Sequence, residues 1–189
     1  MRYRRADIVE HAIAVLDQYG LGDLTMRRLA TELGLQPSAF YHHFANKQSL
    51  LAAVGDEILL RGLRDDDATL PWDQQTVAHC NALRDSMLAY RDGAELIATV
   101  HSFGLGDHRP YARLVSLIES GGYDEVFARA AAATLLHFIF GHVSDEQTQL
   151  QANSVGAIDT EPASSGTDTY ELGLSLILDG IRLRLPAPR

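Results

Sequence analysis

The sequence predicts an all-α protein built as an N-terminal three-helix helix-turn-helix domain followed by a C-terminal helical domain. Three observations predict it. Apolar residues recur at helical spacing through most of the 189 positions. Gly and Pro punctuate those runs. Residues 24–47 read as two short helices joined by a tight turn, with a third helix opening at their end.

Residues 4–19 form the first predicted helix, with Ile8, Ala12, Val15, Leu16 and Tyr19 on one face and Gly20 as its stop. Arg4 and Arg5 stand at its N-terminus, where the helix dipole slightly disfavours a cation. A phosphate contact would compensate, and plain solvation explains them equally well. Leu21, Leu24, Leu29 and Leu33 close a small core against this helix. Thr25 is an N-cap whose hydroxyl accepts an orphan backbone N–H. Gly34 ends the second helix in the left-handed region, where a Cβ would clash. Pro37 opens the third, where its missing N–H costs nothing. Phe40, Tyr41 and Phe44 give that helix an aromatic face, and Asn46 caps the next one at Lys47.

That fourth helix carries Leu50, Leu51, Val54, Ile58 and Leu59 and runs to about Leu63. The acidic stretch 64–67 and Pro71 make a linker, and Trp72 packs at the start of the following helix. Val77, Cys80, Leu83, Met87 and Leu88 carry the apolar face of 73–90. A Gly-containing turn spans 101–108, and Pro110 begins a helix with Tyr111, Leu114, Val115 and Ile118 that ends at Gly121–Gly122. Asp124 to about Val143 is a helix apolar almost all round. Residues 144–166 are polar and are expected to form a loop. A last apolar helix spans 167 to about 185. Two such helices in a small all-α chain suggest a homodimer interface, or else burial within one monomer.

Charge is unevenly placed. Residues 1–50 hold six Lys/Arg and five Asp/Glu, a balance of +1. The remainder holds ten and twenty, a balance of −10, and the two sum to the net −9. The N-terminal part is therefore the only region that phosphate does not repel. One cysteine, Cys80, excludes an intramolecular disulfide framework and fits a reducing cytoplasm. No secretion signal follows the basic start, and the longest apolar run, 130–143, is too short for a membrane span and contains His137 and His142.

No constellation supports catalysis. His79, His101, His137 and His142 show no zinc spacing, and no nucleophile elbow or phosphate loop is present. No metal or cofactor is expected. The helix-turn-helix instead suggests nucleic acid. Gln36, Pro37, Ser38 and Ala39 begin the helix that enters the major groove in such motifs. Gln36 can offer adenine a donor and an acceptor, Ala39 can meet a thymine methyl, and His42 can reach a base edge or the backbone. Arg28 is a further candidate.

The run Leu-Thr…Leu-Ala…Leu-Gly-Leu…Phe-Tyr-His-His-Phe-x-Asn-Lys…Leu-Leu, from Leu24 to Leu51, resembles the DNA-binding domain of the TetR family of bacterial transcriptional repressors. Tyr90-Arg-Asp-Gly-Ala resembles an element of the regulatory domain in the tetracycline-repressor class. The resemblance implies a ligand-responsive repressor that binds a palindromic operator in double-stranded DNA as a homodimer. Residues 1–46 would bind DNA, and 47–189 would sense an effector and dimerise through helices 124–143 and 167–185. It implies that Thr25, Arg27, Tyr41, His43 and Lys47 touch phosphates, with helix packing as the other reading for Tyr41 and His43. It also implies a small-molecule chamber supplied by His79, Leu83, Met87, His101, Phe103, Leu114, His137 and Phe138. Plain core packing is the stronger reading for Leu83, Met87 and Leu114. In tetracycline repressors the third residue after Arg-Asp-Gly-Ala is a histidine that helps hold a magnesium–drug complex. Here it is Ile97, so the expected effector is different and more apolar. The alternative function is a small-molecule binding protein without specific DNA binding, and no membrane partner is expected.

Overall fold

The computed structural model describes residues 3–62, 67–154 and 166–184, with backbone alone at 37–39 and 166–167. Among the described residues there are nine α-helices, one short 3-10 turn at Leu21–Asp23 and no strand. The helices are α1 (Arg5–Tyr19), α2 (Met26–Glu32), α3 (Pro37–His43), α4 (Lys47–Gly62), α5 (Trp72–Leu88), α6 (Gly93–Ser102), α7 (Arg109–Ser120), α8 (Glu125–Ser154) and α9 (Gly166–Arg182). The expected acidic exit at 64–66, the expected loop from 155 to 165 and the expected helix end at 185 lie outside the described residues.

The chain divides into two compact units. The first is 1–63 with 85–107, and the second is 64–84 with 108–189. In the first, α1 packs on α2 and α4, α2 on α3, and α4 on α6. Ile8, Ala12, Leu16, Leu24, Leu29, Phe40, Phe44, Leu50 and Val54 are buried there, which removes their apolar surface from water. Tyr19 was expected on the buried face of α1 but is exposed, and the Arg28 guanidinium stacks 3.7 Å above its ring. The α4–α6 contact is close because Gly55 faces α6. A Cβ there would lie 3.2 Å from the Leu96 side chain. Near the end of α4, a Cβ on Gly62 would overlap the Ser86 hydroxyl of α5. Those two glycines set how near α4 comes to its neighbours.

In the second unit α8 packs on α7 and α9. Its Ala128, Ala131, Ala132, Leu135, Leu136, Ile139 and Val143 are buried. Phe138 stacks on Tyr170 of α9 with ring centroids 5.7 Å apart, in space that Gly173 leaves open. Trp72 meets Tyr123 edge-on at 5.4 Å, as its place at the start of α5 suggested.

One expectation is corrected. Residues 144–154 are not loop but the last third of α8. Their polarity hides helical contacts. Gln147 is buried, and Glu146 forms a bidentate ion pair with Arg84 of α5. By length and composition α8 could also cross a membrane. Its buried row, however, is the core of its unit.

Candidate nucleic-acid interface

Local hydrogen bonds build the helix-turn-helix. The Thr25 hydroxyl accepts the Arg28 N–H at 3.2 Å and so caps α2. The chain leaves α2 through Leu33 and turns at Gly34, whose φ is +62°. Pro37 occupies the first turn of α3, with Gln36 as the residue before it. At the far end the Asn46 side chain accepts the Ser49 N–H at 2.8 Å. Ser49 Oγ in turn accepts the Asn46 N–H at 3.3 Å, a reciprocal cap on α4.

This framework decides which side chains face water. Successive residues of a helix point about 100° apart, so Phe40 and Phe44 share a face that Tyr41 cannot. Phe40 and Phe44 are buried, with ring centroids 6.1 Å apart. Tyr41 is 57% exposed. The expected three-residue aromatic face is therefore two residues, and Tyr41 belongs to the solvent side. Arg27, Gln36 and His42 are also exposed, and Thr25, His43 and Lys47 are half-exposed. Pro37, Ser38 and Ala39 lie in the first turn of α3 by backbone, and their side chains lie outside the described residues. Arg28 differs from the others. Its guanidinium donates to Asp23 at 2.6 Å and to Glu32 at 2.7 Å while covering Tyr19. As placed, it braces the 3-10 turn against α1 and α2. The Arg28 hydrogen bond, with a second from His11, holds the Glu32 carboxyl below its ordinary range.

Three relationships that sequence reading missed hold this head. Arg5 stacks 4.9 Å over the Phe44 ring. Asp92 sits in the left-handed region, at φ 54°, and its carboxylate accepts the Leu21 N–H at 2.7 Å. Arg61 of α4 donates to Glu57, Glu10 and Tyr90. The Asp-Gly pair at 92–93 was a usable turn signal. Its partner at Leu21 lies 71 residues away and leaves no local trace.

The residues expected to line an effector chamber divide between the units. Met87, His101 and Phe103 lie in the first, and His79, Leu83, Leu114, His137 and Phe138 in the second. His79, Leu83, Met87 and Leu114 are buried, and His79 Nε2 donates to the Pro110 carbonyl at 3.2 Å. Two of these residues are exposed. Phe103 is 63% exposed, because it follows the end of α6 and heads the Gly104–Gly106 turn. His137 is exposed because it falls between the buried Leu136 and Ile139 but off their stripe. Ile97, buried in α6, lies where the side chain of a Gly55 variant would touch it. Among the described residues no cluster of three His, Cys, Asp or Glu could hold a metal.

The family model "Bacterial regulatory proteins, tetR family" matches residues 8–54, and "Tetracyclin repressor-like, C-terminal domain" matches 66–165. The chain belongs to the tetR family of bacterial regulatory proteins. A crystal structure of Mycobacterium smegmatis BioQ is 40% identical, covers 95% of this chain and 97% of its own, and superposes with a TM-score of 0.87. BioQ with its natural double-stranded DNA operator is 37% identical, with 95% and 98% covered and a TM-score of 0.82. The tetracycline repressor protein class A from transposon 1721 of Escherichia coli is 30% identical over 198 residues, 94% of this chain and 89% of the repressor. These tetR-family relatives are DNA-binding regulators rather than enzymes.

Proposed function

We propose that the chain is a ligand-responsive repressor that binds a palindromic operator as a homodimer in the cytoplasm and is released by a small apolar effector. The observation that carries this reading is the solvent-facing row on the capped helix-turn-helix. Gln36, just before α3, and His42 within it, with Ser38 and Ala39, read bases, while Thr25, Arg27, Tyr41, His43 and Lys47 hold phosphates. Residues 1–46 are then the DNA-contacting part, and 47–189 sense and dimerise. Arg28, already paired, is left out of the contacts.

The dimer reading is supported by apolar residues left in water. Val126 and Leu150 of α8 are exposed, and Leu172 and Leu176 of α9 are 62% and 66% exposed at a four-residue spacing. An apolar effector is supported by Ile97 in place of a histidine and by the burial of His79, Leu83 and Leu114 in the second unit. Effector binding releases DNA only by its differential affinity for the two states.

Footprinting on the chain's own upstream DNA should give two protected half-sites related by two-fold symmetry. Protection no better than on random DNA would overturn the operator reading and favour a small-molecule binder. Sedimentation should give a dimer of 20.7 kDa subunits, reduced to monomer by Leu176→Glu.

A further inference from the structure

A cavity of about 270 Å³ opens between α2 and α3, on the helix-turn-helix itself. Its origin is the turn at Gly34. That turn carries the chain away from α2 before Pro37 starts α3. Ala30 and Phe40, both buried, make the floor, and the half-buried Met26 and Leu35 make the walls. Arg27, Thr31 and Tyr41, all exposed, make the rim. The Thr31 hydroxyl already donates to the Arg27 carbonyl. The Arg27 guanidinium makes no ion pair among the described residues.

We propose that this cavity is a second ligand site, for a compact aromatic carboxylate, and that its occupation competes with DNA. The floor and walls are apolar and include the polarizable Met26, which suits the face or edge of an aromatic ring. The volume lies below that of a drug-sized pocket, so the ligand is small. Arg27 supplies the planar fork that binds a carboxylate through two parallel hydrogen bonds. Arg27 and Tyr41 are also proposed phosphate contacts. A bound anion there takes the cation that DNA uses and lays a negative charge on the DNA-facing side. The competition rests on the proposed function, whereas the binding does not. The effect is direct displacement and needs no movement of the effector-sensing part.

Methionine-methyl NMR on the full chain tests this, with 2-naphthoate as the probe. Of the three methionines, Met26 lines the cavity, while Met87 is buried in the core at the end of α5. The Met26 signal should shift and saturate while Met87 stays still. Uncharged 2-naphthamide should bind about tenfold more weakly, and Arg27→Gln should weaken the naphthoate by about tenfold while leaving the amide unchanged. An unmoved Met26 signal, a Met87 shift in its place, or equal binding by Arg27→Gln would each overturn the site. Fluorescence anisotropy with operator DNA then tests the consequence. Naphthoate should raise the apparent Kd in proportion to Met26 occupancy, and an unchanged Kd at saturation would overturn the competition. If the chain binds no operator, the Met26 titration still reads the site, so the two failures are separable.

Discussion

The Asp92 carboxylate accepts the Leu21 N–H at 2.7 Å, tying the α5–α6 turn to the segment that leads into the helix-turn-helix. One residue earlier, the Arg91 N–H donates to Asp17 of α1 at 3.2 Å. Asp92 holds its place despite a left-handed backbone, which Asp and Asn tolerate better than other side chains. Gly93 follows because a Cβ there would come within 2.5 Å of the Met87 carbonyl oxygen. Asp92→Ala should therefore lose about 2–3 kcal/mol, from an unsatisfied part-buried N–H and added backbone strain. Asp92→Asn keeps an acceptor and the tolerated conformation and should lose less. Chemical denaturation gives the two values, and hydrogen exchange at Leu21 should accelerate in the Ala variant. Equal losses for the two would contradict this account.

Thr25→Ala removes the cap of α2 and should cost about 1 kcal/mol. Thr25→Ser should restore most of it, because the hydroxyl is the group that accepts. Thermal unfolding of the three proteins side by side measures this.

The Arg84–Glu146 pair is nearly out of water, with side chains 13% and 11% exposed, and the guanidinium also lies 5.1 Å from the Tyr170 ring. Glu146→Ala takes the carboxylate from a buried cation and should cost about 3 kcal/mol. Replacing both, Arg84→Met with Glu146→Leu, should cost much less, since an apolar pair carries no desolvation penalty. A double-mutant cycle read by denaturation decides it, and a double mutant as unstable as the single would refute the pair's buried character.

Glu32 gives a pH dependence of defined sign. Its folded carboxyl titrates below its ordinary value of 4.5, chiefly through the Arg28 hydrogen bond. The stability it contributes is present above that ordinary value and is lost as pH falls through the folded one. Glu32→Gln should flatten this acid limb in a series of melting curves and leave the neutral region nearly parallel to wild type.

Burial pushes the Cys80 thiol up to about 12. The thiolate is the reactive form, so Cys80 should resist iodoacetamide in the native protein at neutral pH. Modification should begin only under conditions that open the second unit, and fast labelling of the folded chain would contradict the burial.

The fold was legible where its determinants are local. Thr25, Gly34, Pro37 and Asn46 are capping and turn residues whose partners lie within a few positions, so sequence reading located α2, α3 and the start of α4. It stopped α8 at Val143 because 144–154 look solvated. What keeps that stretch helical is Arg84, 62 positions from Glu146. Within the site, the phosphate-facing candidates on α2 and α3 came from the family resemblance, whereas reading the aromatics as one face misassigned Tyr41, which the 100° step sends to the solvent side. Arg28 looked free because its partners at Asp23 and Glu32 matter only once the turn has formed. The exposure of His137 and Phe103 was not legible, because a histidine or phenylalanine in an apolar stretch does not say which side of its helix is covered.

The first compact unit is interrupted in sequence. Residues 1–63 complete their packing only with 85–107, where Leu96, Ile97 and Val100 lie against Gly55. On the ribosome, the DNA-facing segment therefore emerges well before the helix that finishes its core. A nascent chain released before residue 107 would present Gly55 and its buried neighbours Val54 and Ile58 to water. The same interruption bears on chimeras. A single splice at the end of α4 would carry the helix-turn-helix to a new partner domain but leave behind the helix that supports it. A working transplant must carry both pieces, or supply a helix with the same apolar row.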